Sequence, residues 1–140
     1  MHTSLKNKTT LVTGVTSGIG REIAQLLAER GARVFGTVRN PQSTNSIRGV
    51  EIVRMDVTDN ASVSATVRSI EQKAGPVQLL VNNAGYALTG ALEETGIAEA
   101  RQQFETNFFG VLRVTNVVLP GMRQAGYGRI VNISPDFAAE

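Results

Sequence analysis

Cysteine and tryptophan are both missing from this chain of 140 residues. Without cysteine there is no disulfide framework, no thiolate nucleophile and no thiolate-ligated metal. Histidine occurs once, at His2, where a solvated terminal side chain is expected; no carboxylate–histidine cluster replaces it, so no metal site is expected. Long hydrophobic runs are missing too. The start, Met1–Lys8, has no apolar signal-like core, and Thr9–Thr13 is far too short to span a bilayer. No membrane association is therefore expected, and a cytoplasmic setting is the expected location. An excess of one charge is also lacking: 14 Lys and Arg stand against 12 Asp and Glu, a formal charge of +2. The basic residues are scattered, whereas a nucleic-acid surface needs them clustered, so nucleic acid is not an expected partner.

What is present describes a folded protein. Hydrophobic residues make up 41% and charged residues 19%, which favours a globule over a disordered chain. The length supports one hydrophobic core and not two, so residues 1–140 are expected to form a single domain. Residues 1–7 and 135–140 are expected to be flexible. No internal repeat, low-complexity tract or interdomain linker interrupts the chain.

Short apolar runs alternate with helical stripes, the pattern of a parallel sheet with crossover helices. Strands are predicted at Thr9–Thr13, Arg33–Val38, Glu51–Arg54, Val77–Val81 and Arg129–Ile133. A first helix carries Ile19, Ile23, Leu26 and Leu27 and ends at Gly31, which tolerates positive φ. Asn40–Gly49 reads as a loop with room for one helical turn. Thr58 or Asp59 can cap a second helix with Val63, Val67 and Ile70 on its apolar side, closed by Gly75 and Pro76. A long helix from about Arg101 to Arg123 places Phe104, Phe108, Val111, Leu112, Thr115, Val118, Leu119 and Met122 on one stripe. Phe109, Val114 and Val117 fall on its remaining circumference, and Gly126 and Gly128 break it. Right-handed crossovers then give an α/β, doubly wound parallel sheet of order 3-2-1-4-5, with its switch point between strands one and four.

Immediately after strand one comes Thr13-Gly14-Val15-Thr16-Ser17-Gly18-Ile19-Gly20. Gly14 suits a tight turn, Gly18 a close backbone approach to a pyrophosphate, and Gly20 close packing of helix on strand. The first-turn amides of the helix would face the phosphates, with Thr16 and Ser17 adding hydroxyls at the rim. A glycine-rich turn that binds nothing fits the same residues. A Walker phosphate loop does not, because no Gly-Lys-Ser/Thr follows.

The spacing Gly-x-x-x-Gly-x-Gly resembles the Thr-Gly-x-x-x-Gly-x-Gly motif of the short-chain dehydrogenases/reductases, in their classical subgroup. Three further segments occur in the family's order: Asn82-Asn83-Ala84-Gly85 after strand four, Asn107-Phe108-Phe109-Gly110 in the long helix, and Gly128-Arg129-Ile130-Val131-Asn132-Ile133-Ser134 at strand five. The resemblance covers Lys8 to Ser134. It implies an oxidoreductase that interconverts a secondary alcohol and a ketone with a nicotinamide cofactor, acting on a small-molecule carbonyl or alcohol.

An NAD-selective site of this kind carries Asp or Glu at the end of strand two, to accept from both ribose hydroxyls. This chain has Val38 there, followed by Arg39. A guanidinium can bind a 2′-phosphate, which a carboxylate would repel, so NADP(H) is the expected cofactor and NAD(H) the less favoured alternative. Arg39 as a solvated loop residue is the plain alternative. Asn40 could add one donor. The resemblance implies that Asp56 accepts from the adenine amine and that Val57 covers the ring; by its sequence alone Asp56 could equally be a loop cap. It also puts Asn83, Ala84 and Gly85, with Ile19 of the glycine motif, along the cofactor wall, and assigns Asn82 mainly to structure.

The family's catalytic set comprises a Tyr-x-x-x-Lys pair, a serine near the end of strand five and an asparagine that supports a proton-relay water. Asn107 matches the asparagine; a hydrogen bond that bends the helix is its structural alternative. Ser134 is the candidate serine, one residue before the expected position, which Pro135 occupies. Neither Tyr86 nor Tyr127 has a lysine four positions on. Tyr86, next to Gly85, could touch a ligand, and Tyr127 reads as a turn residue. Asp136 and Glu140 read as a flexible acidic tail and not as an acid pair. The chain thus resembles the amino-terminal, cofactor-binding half of such an enzyme, apparently truncated and without activity by itself; a non-catalytic nucleotide-binding or protein-interaction module is the alternative. Without the family's later elements, Leu79, Val81, Ile130 and Ile133 are expected to lose cover on one side. Strand five is then expected to become a sheet edge, and self-association to follow.

Overall fold

Strand β1, Thr9–Val12, is buried along its whole length, and its alternation divides the molecule into two layers. Leu11 joins a core with Phe35, Leu80, Val63, Val67, Ile70, Val114 and Val118. Val12 joins a second core with Val15, Ala24, Val34, Val38, Leu79 and Val81. Successive strand side chains point to opposite faces, so one strand feeds both cores. The computed structural model describes residues 4–85 and 92–134.

Around β1 run α1 (Gly18–Glu29), β2 (Arg33–Val38), β3 (Val50–Arg54), α2 (Asn60–Ala74), β4 (Leu79–Asn82), α3 (Ile97–Phe104), α4 (Gly110–Ala125) and β5 (Arg129–Asn132). The sheet order is β3-β2-β1-β4-β5 and every pairing is parallel, as the alternating pattern predicts. Helix α1 covers one face; α2 and α4 cover the other. A short 3₁₀ turn, Pro41–Ser43, supplies the helical turn expected in the loop after β2.

Local signals explain most boundaries. Asp59, not Thr58, caps α2, its carboxylate accepting from the amides of Ala61 and Ser62. Gly75 ends that helix at φ 80° and Gly126 ends α4 in the left-handed region. Strand β4 begins at Leu79 and not at Val77, although Gln78 already bonds both neighbours: its N–H donates to Thr9 O and its carbonyl accepts from Arg129 N–H. Ahead of β1, the Asn7 amide donates to Gly31 O at 2.8 Å.

The long helix departs from expectation. It starts at Ile97 and includes a five-residue π-helical turn, Glu105–Phe109, before α4 continues. Its sheet-facing line is Gly110, Val114, Val118 and Met122. Val114 is therefore central to the core, whereas Phe104, Phe108 and Leu112 are exposed at 62%, 53% and 44%. Two causes combine. The π turn adds a residue and rotates the rest of the helix by about 100°, and an apolar surround leaves the inward direction to be settled by close packing. Gly110 settles it: a Cβ there would lie 2.8 Å from Val57 Cγ2.

Strand five is the edge of the described sheet, with all four residues exposed. The predicted loss of cover at Leu79 and Val81 does not occur. Both stay buried, at 8% and 3%, in the core with α1. Register corrects the grouping as well. Ile130 pairs with Leu80 and so lies on the α2/α4 face, while Val131 pairs with Val81 on the α1 face.

Candidate nucleotide site

The carboxyl ends of the strands open on one cleft of about 470 Å³. Gly14, Thr16, Ser17 and Ile19 line it from the turn after β1; Thr37, Val38 and Arg39 from the end of β2; and Met55 to Thr58 from the loop after β3. Asn83, Ala84 and Gly85 follow β4, Thr106, Asn107 and Val111 come from the π turn and α4, and Ile133 and Ser134 from beyond β5. Ligands of open α/β sheets bind at this position, beside the switch between β1 and β4.

Two threonine hydroxyls build the floor: Thr13 opens the glycine motif without having been given a role there, and Thr37 did not stand out in the sequence. Thr13 Oγ1 accepts from the amides of Asn83 and Ala84, at 3.0 and 2.9 Å. Thr37 offers its carbonyl and hydroxyl to the Gly14 amide, at 3.1 and 3.3 Å. The only sequence signal for Thr37 is position, next to the carboxyl end of a strand that meets the cleft. Asn83 Nδ2 donates to Gly14 O at 2.9 Å, closing the turn from the other side. Asn82 is structural: Nδ2 donates to Thr115 Oγ1 and Asn132 Oδ1, joining β4 to α4 and β5.

The glycines divide their work. Gly14 has φ +73°, and a Cβ there would lie 2.8 Å from Ala84 Cα. Gly20 is buried, and a Cβ on it would strike the Asn83 side chain and Gly14 O. At Gly18, by contrast, a Cβ would meet nothing within 4 Å among the described residues. Among the described residues the α1 amino terminus therefore adjoins open space, and Ser17, in its cap position, makes no side-chain capping bond. Exposed Thr16, Ser17, Gly18 and Ile19 rim that space. First-turn amides without a cap beside an open cradle fit the phosphates of a dinucleotide.

Arg39 is exposed at the rim and Val38 lies beneath it, 3% exposed and packed in the α1 core. Asp56 sits opposite. Its Oδ1 accepts from the Thr58 hydroxyl at 2.7 Å and the Thr58 amide at 2.9 Å. These two bonds hold its pKa below the usual carboxylate value against the opposing effect of burial, and Arg39 and Arg54 add to the lowering. Asn107 lies in the π turn against Gly85, whose Cβ would be 2.5 Å from Asn107 Oδ1. Ser134 is exposed in the same cleft. Tyr127 is part of no described site and stacks under the Lys8 ammonium, 4.3 Å from its ring centroid. His2, Tyr86, Pro135, Asp136 and Glu140 lie outside the described residues. Among the described residues, no helix is long and apolar enough to cross a membrane, and no group of three His, Cys, Asp or Glu could hold a metal.

A parallel 3-2-1-4-5 sheet with a glycine-lined cleft at its switch point defines a Rossmann-like nucleotide fold. The chain belongs to the short-chain dehydrogenase family, whose model matches residues 8–139. It is 44% identical over 124 residues to 3-ketodihydrosphingosine reductase of Bacteroides thetaiotaomicron, covering 89% of this chain and 45% of that protein. It is 35% identical over 135 residues to 3-oxoacyl-(acyl-carrier-protein) reductase FabG of Escherichia coli, covering 93% and 55%. A short-chain dehydrogenase structure from Streptomyces avermitilis matches with a TM-score of 0.84 and 39% identity, over 91% of this chain and 48% of that one. The chain spans about half the length of the curated relatives it matches.

Proposed function

We propose that this chain is the cofactor-binding part of an NADP(H)-dependent oxidoreductase that interconverts a secondary alcohol and a ketone. The observation that carries the reading is the convergence on one cleft of Gly14, the uncapped start of α1, Asp56, Asn83–Gly85 and Asn107. When bound there, the nicotinamide would supply or take the hydride. The chain's own residues bind and orient. The α1 amides, with Thr16 and Ser17, hold the pyrophosphate beside Gly18, Ile19 and Gly20, and Arg39 pairs with the 2′-phosphate. Asp56, with Oδ1 committed to Thr58, uses its other oxygen for the adenine amine, and Val57 covers the ring. Asn83, Ala84 and Gly85 form the ribose wall. Asn107 holds a relay water, and Ser134 is the candidate to polarise the substrate oxygen. A carbonyl substrate is supported by the relatives named as reductases.

No Tyr-x-x-x-Lys occurs in these 140 residues. Because positioned acid–base groups contribute about 10²–10⁴-fold, the chain by itself is proposed to be inactive. Calorimetric titration with NADP⁺ and NAD⁺ tests the cofactor assignment. Tighter NADP⁺ binding that is lost in Arg39→Ala is expected, and equal or tighter NAD⁺ binding overturns it. Arg39 is the position to exchange, since an aspartate at Val38 would also be buried in the α1 core. We assign self-association to the exposed apolar residues Phe104, Phe108 and Leu112 together with the uncovered edge strand β5. The second reading, a non-catalytic module, draws on the exposed strand β5; it gains if neither dinucleotide binds.

A further inference from the structure

Arg113, on the first turn of α4, spends its guanidinium on three separate parts of the fold. Its Nε donates to Asn60 Oδ1 at 2.5 Å, at the first residue of α2. Its Nη1 donates to Val57 O at 2.8 Å, in the loop that forms one wall of the cleft. Its Nη2 pairs with the Glu105 carboxylate, at the first residue of the π turn. Residues eight apart along an α-helix are separated by about 12 Å, so this pair spans the whole π turn and the start of α4. The guanidinium is largely covered, its side chain 19% exposed, and Gly110 packs directly on Val57 beside it.

The two walls joined in this way have different tasks under the cofactor reading, on which this inference rests. Asp56 and Val57 face the adenine; Thr106 and Asn107 lie in the π turn. A π turn interrupts the α-helical repeat and is frequent at functional sites. The Arg113 tie enters this turn at Glu105, two residues before Asn107, whose own side chain packs against Gly85. We propose that Arg113 is a positioning residue that couples the adenine wall to the π turn, so that filling the adenine end sets the placement of Asn107. A lysine cannot reproduce the tie, because a single ammonium lacks the planar fork that reaches three acceptors.

The test uses NADP⁺ and 2′,5′-ADP, which carries the adenine end without the nicotinamide, and reads affinity by calorimetry. It also reads the Asn107 side-chain amide signal by NMR, assigned with Asn107→Asp. In the parent chain, 2′,5′-ADP should shift the Asn107 signal. Arg113→Met should bind both probes about tenfold more weakly and lose the shift, and Arg113→Lys should recover little of either. Glu105→Gln leaves Val57 O and Asn60 served; it should keep 2′,5′-ADP affinity within about twofold yet lose the shift, and it serves where Arg113→Met folds poorly. Unchanged affinities and a persistent shift in the variants, even with a lower Tm, overturn the coupling and reduce Arg113 to a structural tie. A parent chain that binds neither probe overturns the cofactor reading, and this inference with it.

Discussion

Strands β1 and β5 belong to one parallel sheet and have opposite fates. Every residue of β1 is buried, although two of its four residues, Thr9 and Thr10, are polar. Every residue of β5 is exposed, although Ile130 and Val131 at its centre are strongly apolar, at 37% and 41%. Polarity therefore does not sort them; position in the layers does. The buried threonines are tolerated because their hydroxyls are satisfied, Thr9 Oγ1 donating to Ala74 O at 2.8 Å and Thr10 Oγ1 to Lys8 O at 3.1 Å. The apolar pair at β5 is left open because α1 ends its cover at Leu79 and Val81, and α4 directs Val114, Val118 and Met122 towards the sheet centre. A sheet centre thus accepts polar residues that find partners, and a sheet flank keeps apolar residues that find no layer.

The sharpest way to break that contrast is a matched pair of substitutions, read by denaturant unfolding of the chain. Leu11→Ala in β1, at 0% exposure, should cost about 2–5 kcal/mol through lost burial and a residual cavity. Val131→Thr in β5 keeps the β-branched shape and should stay within about 0.5 kcal/mol. Comparable losses at both sites would mean that β5 is covered in solution.

Next in size is Thr13→Val, nearly isosteric and at the carboxyl end of the covered strand. It leaves the Asn83 and Ala84 amides without their acceptor and should cost about 1–3 kcal/mol. Dinucleotide affinity should fall as well, since the same bonds hold the cleft floor; an unchanged midpoint would show that water replaces the hydroxyl.

Thr58→Ala probes the rim and should cost about 1 kcal/mol at neutral pH. The Asp56 pKa is held below 3.8, mainly by the Thr58 hydroxyl. Its contribution is present above that unfolded value and is lost as pH falls through the lower folded value. The gap between parent and variant should therefore close in acid, and a gap independent of pH would remove Asp56 from the account.

The smallest effect has the opposite sign. Glu71 on α2 has a buried Oε1 without a hydrogen-bond partner among the described residues, packed at Gly121 of α4. Burial raises its pKa above 4.5, so its stability contribution is complete below that value and is lost as pH rises through the folded one. Glu71→Gln should gain up to about 1 kcal/mol at pH 7 and nothing near pH 4; a loss at pH 7 would reveal a partner for the carboxylate.

The strand order and the glycine turn were legible because each rests on neighbours in sequence. β-Branched runs, caps at Asp59 and Gly75, and the spacing from Gly14 to Gly20 all carry their meaning locally. The inward face of the long helix was not legible. Apolar residues surround it, and a π turn between Phe104 and Gly110 breaks the period on which any stripe is drawn. The role of Thr13, within the glycine motif, and the residues Thr37 and Arg113 were missed for a related reason: each acts through a partner between 23 and 71 positions away.

Alone, the sequence determined which segments become strands and helices, the order in which they stack, and the chemical groups delivered to the carboxyl edge of the sheet. These follow from backbone preference, local periodicity and the handedness of crossovers. Only the tertiary structure decided which face of α4 turns inward, that Leu79 and Val81 stay covered while Ile130 and Val131 do not, and that one guanidinium joins the loop after β3 to the π turn. Those outcomes depend on the closest approach between elements distant along the chain, set by single contacts such as Gly110 on Val57. Packing at that distance has no periodicity for a sequence to display.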